Sequence, residues 1–313
     1  MKILLIDTVY SYFTESLTAK GFECIDGSKL TKEEILAVIH LYEGIQIRSR
    51  IKVDNAFLDK ATKLKFIARA GAGMESIDEN YAAQKGIACI SAPEGNRDAV
   101  GEHAVGMLLS LFNNLNRADQ QVRKGEWLRE ANRGVELNGK TVGIIGYGNM
   151  GTAFAQCVSG FGVTTLAYDK YKTNYSDKYA SQAPLNDLFE HADILSLHLP
   201  FTDETNYMVN DAFLSSFKKD IYLINTARGK IVNTADLVKH LKSGKVKGAC
   251  LDVLEYESQS FENFNADTLP APYQYIIKSD KVLLSPHIAG WTIESKRKIA
   301  EVLVEKILKL KLS

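Results

Sequence analysis

A chain of 313 residues is long for one compact core, so two domains are expected. With 45% hydrophobic and 24% charged residues, and 38 basic side chains balancing 38 acidic ones, it has ordinary globular composition and no net pull toward nucleic acid or an anionic membrane. No apolar run approaches the roughly 20 residues of a bilayer span, and the cysteines (Cys24, Cys89, Cys157, Cys250) are scattered with no partners at metal spacing, so no membrane segment and no metal site are expected, and a reducing, cytoplasmic setting is.

Taken in chain order, short apolar runs alternate with helical stretches. The first run, 2–6, reads as a buried strand and is too short for a signal peptide. Further strands are expected at 44–47, 66–68 and 87–90. A long helix is expected over about 99–124, from the spacing of Val100, Ala104, Leu108, Leu111 and Leu115, with Asn96 or Asp98 as its cap. A second series of strands follows at 141–145, 164–167, 194–197, 222–224, 248–251 and 282–284. These are mostly continuous apolar runs, as strands buried on both faces are. The alternation implies an α/β protein with parallel sheets. Residues 256–278 break the pattern and read as a long surface loop with room for one helical turn. An amphipathic helix over about 293–310, which Thr292 can cap, closes the series.

The clearest motif is Gly146-Tyr147-Gly148-Asn149-Met150-Gly151, directly after the strand 141–145 and before a helix. In that setting Gly146 permits a tight turn, Gly148 lets backbone approach a pyrophosphate, and Gly151 lets helix pack on strand. The helix N-terminus then faces the phosphates with free N–H groups. The next strand ends at Asp169, 18 residues past Gly151, where a carboxylate binds ribose hydroxyls and repels a 2′-phosphate. NAD is therefore expected over NADP, although Lys170 adjoins. A second glycine pair, Gly71-Ala72-Gly73, lacks the third glycine and a matching acidic residue. It suits close approach to a small anion rather than a second nucleotide.

Three further segments sit at expected strand ends, where open α/β sheets hold ligands. They are 225–229 with Arg228, 251–257 with Asp252, Glu255 and Glu257, and 285–290 with His287. Alone, each suits a plainer role: a surface salt bridge, a solvated acidic loop, a structural histidine. Together they match one reaction. Reducing a 2-oxo acid needs a hydride donor, a cation for the carboxylate and a proton donor for the carbonyl oxygen. NADH, Arg228 and His287 meet those needs, with Glu257 to hold the imidazole and favour its charged form. A methyltransferase use of the glycine turn leaves Arg228 and His287 unexplained.

Over essentially its whole length the sequence resembles the D-isomer-specific 2-hydroxyacid dehydrogenases, in 47–50, 70–73, 139–151, 198–200, 225–229, 251–257 and 286–290. Within that family the phosphoglycerate dehydrogenases stand nearest. The resemblance implies a Rossmann NAD-binding domain (98–290) inserted in a flavodoxin-like substrate domain (1–97 and 291–313). It implies that Arg228 binds the substrate carboxylate, that His287 is the acid/base paired with Glu257, and that Asp252 holds the nicotinamide amide. Asn149 and Met150 face the pyrophosphate, Leu199, Pro200 and Thr226 line the cofactor cleft, and the N–H groups of Ala72 and Gly73 meet the substrate carboxylate. A homodimer through residues 99–140 is implied too. The implied reaction is 3-phosphoglycerate to 3-phosphohydroxypyruvate, on the way to serine; Arg48 and Arg50, and Arg129 or Arg133 of a second subunit, are candidates for the phosphate, and each also suits an ordinary surface charge. Reduction of hydroxypyruvate, glyoxylate or another 2-oxo acid is an alternative, and an NAD-sensing interaction protein is another. Three features depart from the pattern: Ser258 stands where proline is usual, the stretch before Pro286 is long, and Trp291 stands where a small residue is common. As no domain follows residue 313, feedback through an appended domain is not expected.

Overall fold

A computed structural model describes residues 1–257 and 270–311. The chain divides into two compact units, Met1–Arg97 with Trp291–Ser313, and Asp98–Gly290.

In the first unit the strands are β1 (Lys2–Leu5), β2 (Glu23–Asp26), β3 (Gly44–Ile47), β4 (Phe66–Arg69) and β5 (Ala88–Ser91). The helices between them are α1 (Ser11–Thr18), α2 (Lys32–Val38), α3 (Asn55–Lys60) and α4 (Glu79–Gln84). All pairings are parallel and the order is β2-β1-β3-β4-β5, the flavodoxin-like arrangement. Side chains alternate across a strand, and here both faces are covered. Leu4 and Ile6 pack with Ile35, Ile45 and Phe57, whereas Ile3 and Leu5 pack with Phe13, Leu17 and Phe66 on the other side.

The chain then leaves β5 through α5 (Pro93–Phe112) and α6 (Leu115–Arg123). The second unit continues with β6 (Thr141–Ile145), α7 (Asn149–Val158), β7 (Thr164–Tyr168), β8 (Ser181–Gln182), α8 (Leu185–His191), β9 (Ile194–Leu197) and α9 (Asp211–Ser215). It ends with β10 (Ile221–Asn225), α10 (Thr234–Ser243), β11 (Val246–Leu251), α11 (Ala271–Ile276) and β12 (Val282–Leu284). Its sheet is parallel throughout, in the order β12-β11-β10-β9-β6-β7-β8. Read from β6 this is the doubly wound Rossmann order, and the order reverses between β6 and β9.

A last helix, α12 (Ile293–Lys309), returns to the first unit. Thr292 and Ser295 cap it reciprocally at 3.0 Å, and Ala300, Leu303, Val304 and Ile307 form its buried stripe. Burying Leu303 and Ile307 contributes about 1.5–3 kcal/mol each. A Cβ on Gly95 would lie 2.6 Å from the Ile299 backbone, so only glycine lets α5 start this close to α12.

Three expectations need correction. The single helix over 99–124 is two, broken at Asn114, whose φ of 53° is left-handed backbone that asparagine tolerates. Its first half begins at Pro93, so Asn96 and Asp98 lie inside the helix and do not cap it. The strands β2 and β8 were not anticipated. The helical turn allowed for within 256–278 is Ala271–Ile276, which buries Tyr273 and Ile276. Ser258 and the remainder of that stretch to 269 lie outside the described residues.

Candidate active site

The glycine turn follows β6 at the point where strand order reverses. Gly146 has φ +90° and donates its N–H to the Tyr168 carbonyl at 2.8 Å, while a Cβ there would lie 2.4 Å from the His198 carbonyl oxygen. Gly148 precedes α7, which no side chain caps, and a Cβ on Gly148 would meet nothing within 4 Å. A Cβ on Gly151 would lie 2.1 Å from the Gly146 carbonyl oxygen. Tight turn, open backbone and close helix are thus each present at the expected glycine, with Asn149 and Met150 forming the first turn of α7.

Asp169 lies just past β7. Its carboxylate accepts N–H bonds from Tyr147 (2.9 Å), Tyr171 (3.0 Å) and Lys172 (3.2 Å), which ties the turn to the neighbouring strand end. Lys170 is ion-paired with Glu204, so the cation beside Asp169 is already balanced. Leu199 and Pro200 follow β9, and Thr226 follows β10. Two buried atoms near these strand ends have no hydrogen-bond partner among the described residues: Nδ1 of His198 and Oγ1 of Thr226. Burial holds the His198 imidazole down to about 3, so it is neutral. An open glycine cradle, an uncapped helix and orphaned polar atoms at adjacent strand ends fit a dinucleotide.

A second cluster is built from the ends of β10, β11 and β12. His287 Nδ1 lies 2.7 Å from Glu257 Oε2, and the other Glu257 oxygen accepts the Leu254 N–H. Arg228 is set by Asn225, whose amide donates to the Arg228 carbonyl (3.0 Å) and accepts the Ala227 N–H (3.0 Å). Gly229 is required next, because a Cβ would lie 1.9 Å from the Leu254 carbonyl oxygen. The Arg228 guanidinium donates to the Ala227 carbonyl at 2.7 Å. The Asp252 carboxylate is only 1% exposed and accepts the Ser285 hydroxyl (2.6 Å) and the N–H groups of Ile288 and Ala289 (both 2.9 Å). Its partners in this structure are thus the residues around His287. Glu255, the remaining carboxylate of the segment, accepts the Thr234 N–H at the start of α10 (2.9 Å) and the Tyr207 hydroxyl (2.7 Å), a structural role.

Residues 105–289 match the family model described as "D-isomer specific 2-hydroxyacid dehydrogenase, NAD binding domain". The chain is 32% identical over 312 residues to a D-3-phosphoglycerate dehydrogenase of Archaeoglobus fulgidus, covering 99% of this chain and 57% of that one. It is 34% identical over 285 residues to a hydroxypyruvate reductase of Thermotoga maritima, covering 91% and 90%. The chain belongs to the D-isomer-specific 2-hydroxyacid dehydrogenases. The crystal structure of a D-lactate dehydrogenase from Aquifex aeolicus, complexed with NAD and lactic acid, superposes with a TM-score of 0.81 at 29% identity, covering 98% and 94%. The chain spans little more than half the length of the Archaeoglobus relative. As in the rest of this family of oxidoreductases, its second unit is an NAD-binding domain.

The other anticipated dehydrogenase residues belong to the first unit. Ala72 and Gly73 follow β4. Arg48 follows β3, its N–H donates to Asp7 (2.6 Å), and its guanidinium lies 4.6 Å from the centroid of the Trp291 ring. It has no hydrogen-bond or ion-pair partner of its own among the described residues. Arg50, weighed as a phosphate ligand, is instead consumed by the fold: it donates to the carbonyls of Leu30 (2.6 Å), Ile6 and Gly27 (3.1 Å) and lies 3.6 Å from Asp7. Arg133 pairs with Glu130 on the surface at 2.8 Å. Sequence reasoning assigned no roles to Asn225, Ser285 and His103. Asn225 and Ser285 flank Arg228 and His287, a usable signal, whereas His103 carries no local sign.

Proposed function

We propose that this chain is an NAD-dependent dehydrogenase of D-2-hydroxy acids whose substrate pair is 3-phosphoglycerate and 3-phosphohydroxypyruvate. The observation that carries the chemistry is the 2.7 Å pairing of His287 Nδ1 with Glu257, in the unit that also presents Arg228. A carboxylate on Nδ1 keeps a proton on that nitrogen and leaves Nε2 for the substrate. NADH, when bound at the Gly146–Gly151 turn, supplies the hydride. Arg228 binds the carboxylate of the 2-oxo acid and draws electron density from the C2 carbonyl. His287 gives the Nε2 proton to the C2 oxygen as the hydride reaches C2, and takes it back in the oxidative direction. Asp169, with Lys170 neutralised by Glu204, favours NAD over NADP.

On the first unit by itself, the groups offered to a substrate anion are the N–H groups of Ala72 and Gly73 and the guanidinium of Arg48. That Arg48 has no acidic partner supports a substrate with a second anionic group, and the Archaeoglobus relative points the same way. A second reading, hydroxypyruvate or glyoxylate reduction, is favoured by Trp291, 67% exposed and far larger than the small residue usual there, and by the Thermotoga relative. A homodimer through residues 99–140 is supported by α6, which buries no residue, and by exposed Leu115, Val122, Trp127, Leu128 and Val135. Light scattering on the purified protein tests it. Among the described residues no helix is long and apolar enough to cross a membrane.

The test is NADH oxidation with 3-phosphohydroxypyruvate, hydroxypyruvate, glyoxylate, pyruvate and 2-oxoglutarate. The phosphorylated substrate is expected to have the highest kcat/KM, and His287→Ala to lose about 10²–10⁴-fold. Highest kcat/KM for hydroxypyruvate or glyoxylate selects the second reading. Binding of NADH with no turnover selects an NAD-responsive interaction protein.

A further inference from the structure

We propose that Ser285 and His103 are positioning residues that set the backbone carrying His287, acting through the buried carboxylate of Asp252. The inference rests on the reading of His287 as the acid/base. It begins with backbone geometry: His287 has φ +55°, a left-handed conformation that a residue with a Cβ keeps only when its surroundings impose it.

Those surroundings converge on one residue. The His287 N–H donates to the Asp252 carbonyl at 2.7 Å. The next two N–H groups, Ile288 and Ala289, donate to the Asp252 carboxylate at 2.9 Å each. The Ser285 hydroxyl, from the other side of His287, donates to Oδ1 of the same carboxylate at 2.6 Å. Asp252 is 1% exposed, so no water replaces a donor that is removed.

Ser285 has one hydroxyl proton, and it is spent on Asp252. Its contact with His103 Nε2 at 3.0 Å must therefore be one in which the imidazole donates, which fixes a proton on that nitrogen. The same Nε2 lies 3.5 Å from Asp252 Oδ1, and Met107, one turn further along α5, touches the Ser285 hydroxyl with its sulfur at 3.6 Å. The His103 face of α5 is thereby joined to a loop 182 residues away. Two carboxylates share the work on one histidine: Glu257 orients the imidazole, and Asp252, with Ser285 and His103, holds the main chain.

The experiment compares Ser285→Ala, Ser285→Thr, His103→Phe and His103→Gln with the parent, by steady-state kinetics and by amide hydrogen exchange. Ser285→Ala is expected to lower kcat about tenfold while KM for NADH changes less than about twofold, because His287 is misplaced and the nucleotide site is not. Exchange at Ile288 and Ala289 should quicken about tenfold, with the sheet amides unchanged. Ser285→Thr, which keeps the hydroxyl, and His103→Gln, which keeps a donor, should restore most of both; His103→Phe should resemble Ser285→Ala. Parent-like kcat and exchange in Ser285→Ala overturn the proposal, as does a loss that threonine does not recover or that spreads to the sheet amides. If the parent turns over no 2-oxo acid, the functional reading fails, and exchange at Ile288 and Ala289 still decides for or against the network.

Discussion

Each unit places a pair of glycines at the end of a parallel strand, yet the two turns are not equivalent. Gly146 and Gly148 follow β6, where the strand order reverses, and lead straight into α7, whose first N–H groups no side chain caps. Gly71 and Gly73 follow β4, away from the β1/β3 reversal of its sheet. The next helix, α4, begins only at Glu79, and Asp78 already caps it by accepting the Tyr81 N–H at 2.9 Å. The packing behind them differs too. A Cβ on Gly146 would meet a backbone carbonyl, whereas one on Gly71 would meet the guanidinium of Arg69. Glycine spacing alone is therefore not a nucleotide site. The reversal point, the free helix end and the rigid wall behind the turn distinguish one from the other.

The sharpest way to break this comparison is to add a methyl group to each turn. Gly146→Ala should destabilise the second unit by about 3 kcal/mol and weaken NADH binding about a hundredfold, since neither the φ of +90° nor the His198 carbonyl can yield. Gly71→Ala should cost less, about 2 kcal/mol: a φ of +148° strains alanine here too, but the guanidinium in its way can swing aside. Equal losses by calorimetry would refute the distinction. In the first unit, Arg50→Ala should lower stability by about 2 kcal/mol in urea unfolding, through three freed carbonyls. Arg48→Ala should leave stability unchanged and raise KM for the phosphorylated substrate alone. Asp169→Ala should narrow the preference for NADH over NADPH about tenfold, read as the ratio of kcat/KM values.

A further effect is a pH dependence of the wall itself. His198 is held near 3 in the fold against an ordinary 6.5, so between these values the unfolded chain binds more protons. Its contribution is fully present above about pH 6.5 and is lost as pH falls toward 3, by at most about 1.4 kcal/mol per unit. Unfolding free energies at pH 7.5, 6 and 5 should fall along that limb, and His198→Phe should flatten it.

Much of this was legible because burial on both faces writes mostly apolar runs: β3, β6 and β9 fall where those runs do. β2, Glu-Cys-Ile-Asp, lies at a sheet edge with no residue fully buried, so its sequence carries no such run. The glycine turn was readable because its chemistry is local. Arg228, Glu257 and His287 were readable as candidates, and the Glu257–His287 pairing was expected, but the bonds from Asn225 and Ser285 that brace them were not, because three loops meet only once the sheet forms. Asp252 shows the limit: its place past β11 marked it as a candidate, but nothing local announces its bonds to Ser285, Ile288 and Ala289.

The stripe on α12 has a consequence for biosynthesis. Ala300, Leu303, Val304 and Ile307 complete the cluster that contains Ile3, Phe13, Leu17 and Phe66. A ribosome emits the first five strands of this chain some 200 residues before the helix that closes their core, at roughly 5–20 residues per second. For those seconds one face of the first sheet has only α1 against it, while the inserted unit acquires all its described strands by Leu284. The domain that starts first is finished last, and its nascent sheet is the surface on which a chaperone has most to protect.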